Sequence, residues 1–118
     1  MPLSPTPKRG DVVLVLFPNS NLQTAKPRPA LVVQADNLNS GIPQIIVAMI
    51  TSRMFRAGHP SRVPVTLASP EGRQSGLLSD SVVMTDNLAT ILDSAIGQVI
   101  GQIPMNPVDR ALRHTLAL

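Results

Sequence analysis

The segment Lys26-Pro27-Arg28-Pro29 sets one arginine between two prolines, and Thr51-Ser52 puts two hydroxyls at the end of an apolar run. A guanidinium is a planar, permanently charged fork that suits phosphate. A threonine hydroxyl can donate one further hydrogen bond to the same group. Proline on both sides of Arg28 fixes the local φ angles, so the side chain is presented at little entropic cost. If the segments that follow Arg28 and precede Thr51 are antiparallel neighbours, the start of one lies beside the end of the other and these residues meet at one rim. On spacing alone, Arg28 also reads as a solvated surface charge and Thr51-Ser52 as a strand end with a turn-capping hydroxyl.

Most other chemistries lack material. Cysteine is absent, which excludes disulfides, Cys-ligated zinc, iron–sulfur clusters and thiol nucleophiles. His59 and His114 are far apart in sequence, and Glu71 is the only glutamate. Asp11, Asp36, Asp80, Asp86, Asp93 and Asp109 are scattered singly, whereas a two-metal nuclease needs several carboxylates converging on its ions. There is no Gly-rich phosphate cradle ending in Gly-Lys. Neither Trp nor Tyr occurs, so base stacking would rest on Phe17 and Phe55 alone and cannot be the main binding device. No cofactor and no metal are expected; an enzyme of this composition works with arginine, hydroxyls and backbone.

The 118 residues carry ten Lys/Arg against seven Asp/Glu, a formal charge of +3, and eight of the ten cations are arginine. Between residues 19 and 78 stand six cations (Lys26, Arg28, Arg53, Arg56, Arg62, Arg73) and two acids (Asp36, Glu71). That bias favours a polyanionic partner. Arg53, Arg56 and Arg62 read either as a phosphate-binding rim or as scattered solvated charges.

The elements that must position these residues are short. At 43% hydrophobic and 14% charged, the chain has the profile of one folded domain. Residues 1–9 hold three prolines and read as a flexible lead-in, with a single domain over 10–118. Val12 to Phe17 is rich in β-branched residues and strand-sized. Further strands are expected over 29–34, 44–50, 62–67, 81–84, 89–91 and 98–103, with a basic loop over 53–61 and a turn region over 72–79. At the end, Asn106 can cap a helix and Pro107 suits its first position. Val108, Ala111, Leu112, Thr115 and Leu116 then fall on one face, to about residue 117. The fold class is mainly β, a small half-open barrel closed by one C-terminal helix. No segment has the length of a membrane span and the start does not read as a signal peptide, so a cytoplasmic protein without membrane contact is expected.

Several short segments stand in a familiar order: Lys8-Arg9-Gly10-Asp11-Val12 opening a strand, Arg28-Pro29-Ala30-Leu31-Val32-Val33, and Ile46-Val47-Ala48-Met49-Ile50-Thr51-Ser52. Gly76-Leu77 leading into Asp80-Ser81-Val82-Val83, the pair Ile100-Gly101, and Val108-Asp109 before Ala111-Leu112 complete the series. Together they resemble the MazF/PemK family of toxin endoribonucleases over nearly the whole chain, about residues 8–118. No single piece is specific; the ordered series is.

The resemblance implies an SH3-like barrel that dimerises and cleaves single-stranded RNA, including mRNA, without metal. It implies sequence-selective cleavage in which the RNA's own 2′-hydroxyl is the nucleophile, leaving a 2′,3′-cyclic phosphate and a 5′-hydroxyl. It also implies neutralisation by a cognate antitoxin with an acidic tail, the pair together binding DNA. The family's catalytic arginine and threonine match Arg28 and Thr51, with Gln23, Lys26, Ser52, Arg53 and Arg56 as RNA-binding candidates. Such chemistry suits the composition, because the protein supplies only positioning and charge stabilisation. One departure stands out: many relatives carry a Gly-Ser-Glu-Gln turn whose glutamate falls here on Gln23. Glutamine takes no proton, so a carboxylate base at that place is excluded, and slow turnover or altered preference is expected. The alternative is a catalytically silent small-barrel module that kept the fold to bind RNA or protein. Asp80-Ser81 reads as a structural turn or a site-orienting one, His59 as a solvated loop residue or an RNA contact, and His114 as surface.

Overall fold

The computed structural model describes residues 6–18 and 25–118. Six strands are followed by a C-terminal helix: β1 (Asp11–Pro18), β2 (Ala25–Val32), β3 (Gln44–Thr51), β4 (Arg62–Val65), β5 (Ser81–Leu92) and β6 (Ile96–Gln102), then α2 (Asn106–Leu116). A single helical turn, α1 (Pro70–Gln74), stands between β4 and β5, and 3₁₀ turns cover Met54–Arg56 and Asp93–Ala95. The sheet runs β4-β5-β3-β2-β1-β6 with every neighbouring pair antiparallel. It curls but does not close, so the expected half-open, mainly β architecture is observed.

Alternation sends successive residues of a strand to opposite faces, and β1 feeds two cores at once. Val12 joins Leu31, Ala48, Ile50, Val83 and, from the helix, Val108 and Ala111. Val13 and Val15 join Ala30, Val32, Ile45 and Val47 on the other face. This double burial is why β1 reads as an unbroken apolar run.

β2 begins earlier than expected, at Ala25, and runs through both prolines. There it pairs only with β1 (Leu16 with Pro27, Val15 with Arg28, Leu14 with Pro29), because the ladder to β3 starts at Ala30. A missing amide N–H at Pro27 or Pro29 therefore breaks no bond to β3.

The two strands expected at 81–84 and 89–91 are one. Met49 pairs with Met84 and Ala48 with Leu88, so Thr85, Asp86 and Asn87 form an insertion in the ladder. Thr85 is buried and donates to the Ser61 carbonyl at 2.6 Å, while Asp86 meets Arg62. The polar triplet that splits the pattern in sequence is bulged out in space.

α1 overlaps the start of the expected turn region, beginning two residues before it. Ser69 caps it, accepting from the Gly72 amide at 3.0 Å, and Pro70 occupies its start. α2 is capped by Met105 without a side-chain bond, so Asn106 is its first residue rather than its cap. Arg9, assigned from sequence to the lead-in, is fixed: its Nη2 meets Asp109 Oδ1 at 2.6 Å and its Nε donates to the Val33 carbonyl at 3.0 Å. No helix among the described residues is long and apolar enough to cross a membrane.

Candidate active site

The β2–β3 register carries the central geometric fact. Ala30 pairs with Met49 at the end of that ladder, and Arg28 and Thr51 each stand two residues beyond it on the neighbouring strands. Both line one cleft of about 680 Å³, within the range of ligand sites. Its floor and walls include Leu14, Ile50 and Ile100, and its polar lining includes Lys26, Ser52, Arg53, Ser79 and Ser81. Three cations (Lys26, Arg28 and Arg53) border it, and among the described residues no carboxylate does. Arg28, Lys26, Ser52 and Arg53 are exposed while Thr51 is half-buried.

Thr51 ends β3 opposite Val82 of β5, where the chain turns. Its Oγ1 accepts from the Arg53 amide at 3.2 Å, as the sequence predicts for a turn-capping hydroxyl. The hydroxyl proton is not used by that bond and can be donated into the cleft. The capping role and a role in chemistry are therefore compatible.

The basic loop divides. Arg53 reaches the cleft; Arg56 and Arg62 do not line it. Arg56 lies over the Phe55 ring, 5.8 Å from its centroid, with Nη1 3.6 Å from the Met84 sulfur. Arg62 forms a fork on Asp86, with Nη2 to Oδ2 at 2.7 Å and Nε to Oδ1 at 3.1 Å, and also donates to the Arg56 carbonyl. That pairing holds the Asp86 carboxyl below the usual range and pushes the Arg62 guanidinium up, the mutual side-chain hydrogen bond being the main cause in each. Arg62 is an anchor between strands rather than part of a phosphate rim. Gln23 lies outside the described residues.

Asp80 belongs to the scaffold: its Oδ1 accepts from the Leu67 amide at 2.8 Å. The two histidines, distant in sequence, are brought together by the fold with ring centroids 6.0 Å apart, but neither lines the cleft. Among the described residues no three of His, Asp and Glu converge as metal ligands would.

One wall was missed from sequence. Gly76, Leu77, Leu78 and Ser79, between α1 and β5, border the cleft together with Ile100 of β6. The only signal for it was the pair of short glycine motifs, Gly76-Leu77 and Ile100-Gly101. Gly76 has φ +73°, and a Cβ there or on Gly101 would overlap backbone, at Ile100 and at Ser75 respectively. Both positions need glycine because two backbones touch there.

A small curled sheet with a cation-lined cleft at one rim, free of described carboxylates, defines a barrel-type protein shaped to receive an anionic chain. The chain belongs to the PemK-like, MazF-like toxin family of type II toxin–antitoxin systems, which matches residues 8–116. It is 36% identical over 107 residues to endoribonuclease MazF6 of Mycobacterium tuberculosis, covering 87% of this chain and 90% of that protein. Endoribonuclease EndoA of Bacillus subtilis is 33% identical over 115 residues, 94% of this chain and 95% of that one. The fold matches that of Mycobacterium tuberculosis toxin MazF-mt6 with a TM-score of 0.71 at 23% identity, over 92% and 97% of the two chains. A MazE–MazF structure from Deinococcus radiodurans matches with a TM-score of 0.69 at 22% identity, over 98% and 99%.

Proposed function

We propose that this protein is a cytoplasmic, homodimeric endoribonuclease toxin that cleaves single-stranded RNA in the Arg28–Thr51 cleft and is held in check by a cognate antitoxin. The observation that carries the reading is the convergence of Arg28 and Thr51 on one cleft whose described charged residues are all cations. The endoribonuclease relatives lend it the reaction, and the MazE–MazF pairing of the Deinococcus protein lends it the kind of partner.

In this cleft the RNA chain supplies its own nucleophile. The 2′-oxygen bonds to the adjacent phosphorus and the bond from phosphorus to the 5′-oxygen breaks, leaving a 2′,3′-cyclic phosphate and a 5′-hydroxyl. Negative charge grows on the phosphorane oxygens, where the Arg28 guanidinium donates two parallel bonds. Thr51 adds a third donor through its free hydroxyl proton. Lys26, Ser52 and Arg53 hold flanking phosphates and sugars. No described Asp or Glu borders the cleft and position 23 is glutamine, so water takes the 2′-proton and water returns one to the departing 5′-oxygen. The antitoxin occupies the same basic cleft with an acidic, partly apolar segment that folds on contact.

The test is cleavage of a single-stranded RNA in excess EDTA with the product ends analysed. Cutting that persists, yields cyclic-phosphate ends and is blocked by a single 2′-deoxy substitution is expected. RNA that is bound but never cut would favour the silent binding module. Activity that needs added magnesium would contradict the mechanism.

A further inference from the structure

Leu78 is almost wholly solvent-exposed, at 98%, and stands on the wall of the same cleft as Arg28 and Arg53. A leucine in water forgoes the stabilisation that burial would give it, and because this one stands on the cleft wall an occupant of the cleft can cover it. Its segment is rigid. Ser75 is fully buried, donates to the Gly72 carbonyl at 2.5 Å, and accepts from the Leu77 amide at 3.2 Å. Behind it, the backbone meets β6 so closely at Gly76 and Gly101 that neither glycine could carry a Cβ. The wall is thus preformed, with Leu77 half-buried against the core and Leu78 beside it at the cleft.

Two features of the cleft fix the chemistry of that occupant. Its charged lining residues are Lys26, Arg28 and Arg53, which complement phosphate. No described aromatic ring lines it: Phe55 sits beneath Arg56, and the histidines pack on each other. A base next to a phosphate bound by Arg28 therefore has no described π surface to stack on, and of the large apolar residues that line the cleft (Leu14, Ile50, Leu77, Leu78 and Ile100) Leu78 is the exposed one.

We infer that Leu78 is a base-positioning residue: a nucleobase of the bound RNA, flanking the phosphate held by Arg28, lies against its side chain. This rests on the RNA-cleaving reading of the cleft and adds to it the residue that seats a base. A flat apolar contact without hydrogen-bond donors reads no base edge by itself. Leu78 therefore fixes the depth and angle of the base, while the polar groups of the cleft read it.

The experiment compares wild type, Leu78→Ser and Leu78→Met for affinity to a single-stranded RNA blocked by 2′-deoxy at its cleavage site. Each is measured with an intact base and with an abasic site at each position flanking the scissile phosphate. Leu78→Ser should bind the intact RNA roughly tenfold more weakly, as expected for losing much of one leucine's burial. At one flanking position, base removal should weaken wild type but leave Leu78→Ser unchanged, and Leu78→Met should restore most of the affinity. Single-turnover cleavage of an unblocked RNA by Leu78→Ser should need a higher protein concentration to reach half its maximal rate. Equal affinity of Leu78→Ser and wild type, or full sensitivity of Leu78→Ser to every abasic site, overturns the inference while the cleft still cuts RNA. A wild type that neither binds nor cuts RNA overturns the reading of the cleft itself. Because Leu78 is exposed, the serine variant folds.

Discussion

Arg28, Arg53, Arg56 and Arg62 illustrate how little residue type says without partners. All four are arginines in the basic half of the chain, yet they have different fates. Arg28 and Arg53 border the cleft, Arg56 leans on Phe55 and Met84, and Arg62 is forked onto Asp86. Counterion release separates them. Removing one phosphate-binding cation lowers the slope of log affinity against log salt by about 0.7 on a single strand. Arg53→Ala should flatten the salt dependence of RNA binding by about that amount, and Arg62→Ala should leave it unchanged; a titration in which both behave alike would contradict the assignment. Thr51→Ala should slow cleavage less than loss of Arg28, since it removes one neutral donor. That Arg28 and Thr51 share one cleft was legible in the sequence, because prolines and a strand end mark them locally. The fate of Arg62 was not, because Asp86 is 24 residues away and only the β4–β5 register, which pairs Arg62 with Met84, brings the two together.

At the scale of elements, the cleft wall is set by two backbones in contact. Gly101→Ala places a methyl group on the Ser75 backbone, and overpacking of this kind costs about 1–3 kcal/mol. A loss of that size in urea denaturation is expected, with RNA cleavage reduced beyond what the weaker fold accounts for. An unchanged midpoint would show that the wall can yield. The Arg62–Asp86 fork ties β4 to the bulge of β5, and its effect depends on pH in a definite direction. Asp86 is depressed in the folded state, so its contribution is full above the ordinary carboxylate value near 3.8 and is lost as pH falls through its lowered value. Asp86→Asn should thus weaken the fold at neutral pH and shrink the stability difference between neutral pH and about pH 3. The pair is at the surface, so the effect is small. A variant whose acid sensitivity equals that of wild type would argue against the pairing. Five of the strands were readable from β-branched runs and alternation. The continuity of β5 was not, because Thr85-Asp86-Asn87 looks like a turn until Ser61 and Arg62 are seen to satisfy it.

For the molecule as a whole, the sheet order joins residues that the sequence keeps apart. The cleft draws on β1, β2, β3, β6, the start of β5 and the segment before it, and its chemistry exists only where they meet. The mainly β, half-open fold was legible because strand-sized runs are separated by turns, and the closing helix because its period changes from two to 3.6. The Leu77–Leu78 wall was not, since a backbone contact between residues 74–76 and 100–101 leaves only small residues as its trace. In the function proposed above, the place where these elements meet is where Arg28 stabilises the charge that develops as RNA is cut. That role is tested by single-turnover cleavage of a single-stranded RNA by Arg28→Ala and Arg28→Lys, with circular dichroism to show that both are folded. Alanine is expected to lower the rate by roughly 10²–10³, and lysine, which keeps the charge but loses the planar fork, to restore little of it. A folded Arg28→Ala protein that cuts within a few fold of wild type would remove Arg28 from the chemistry.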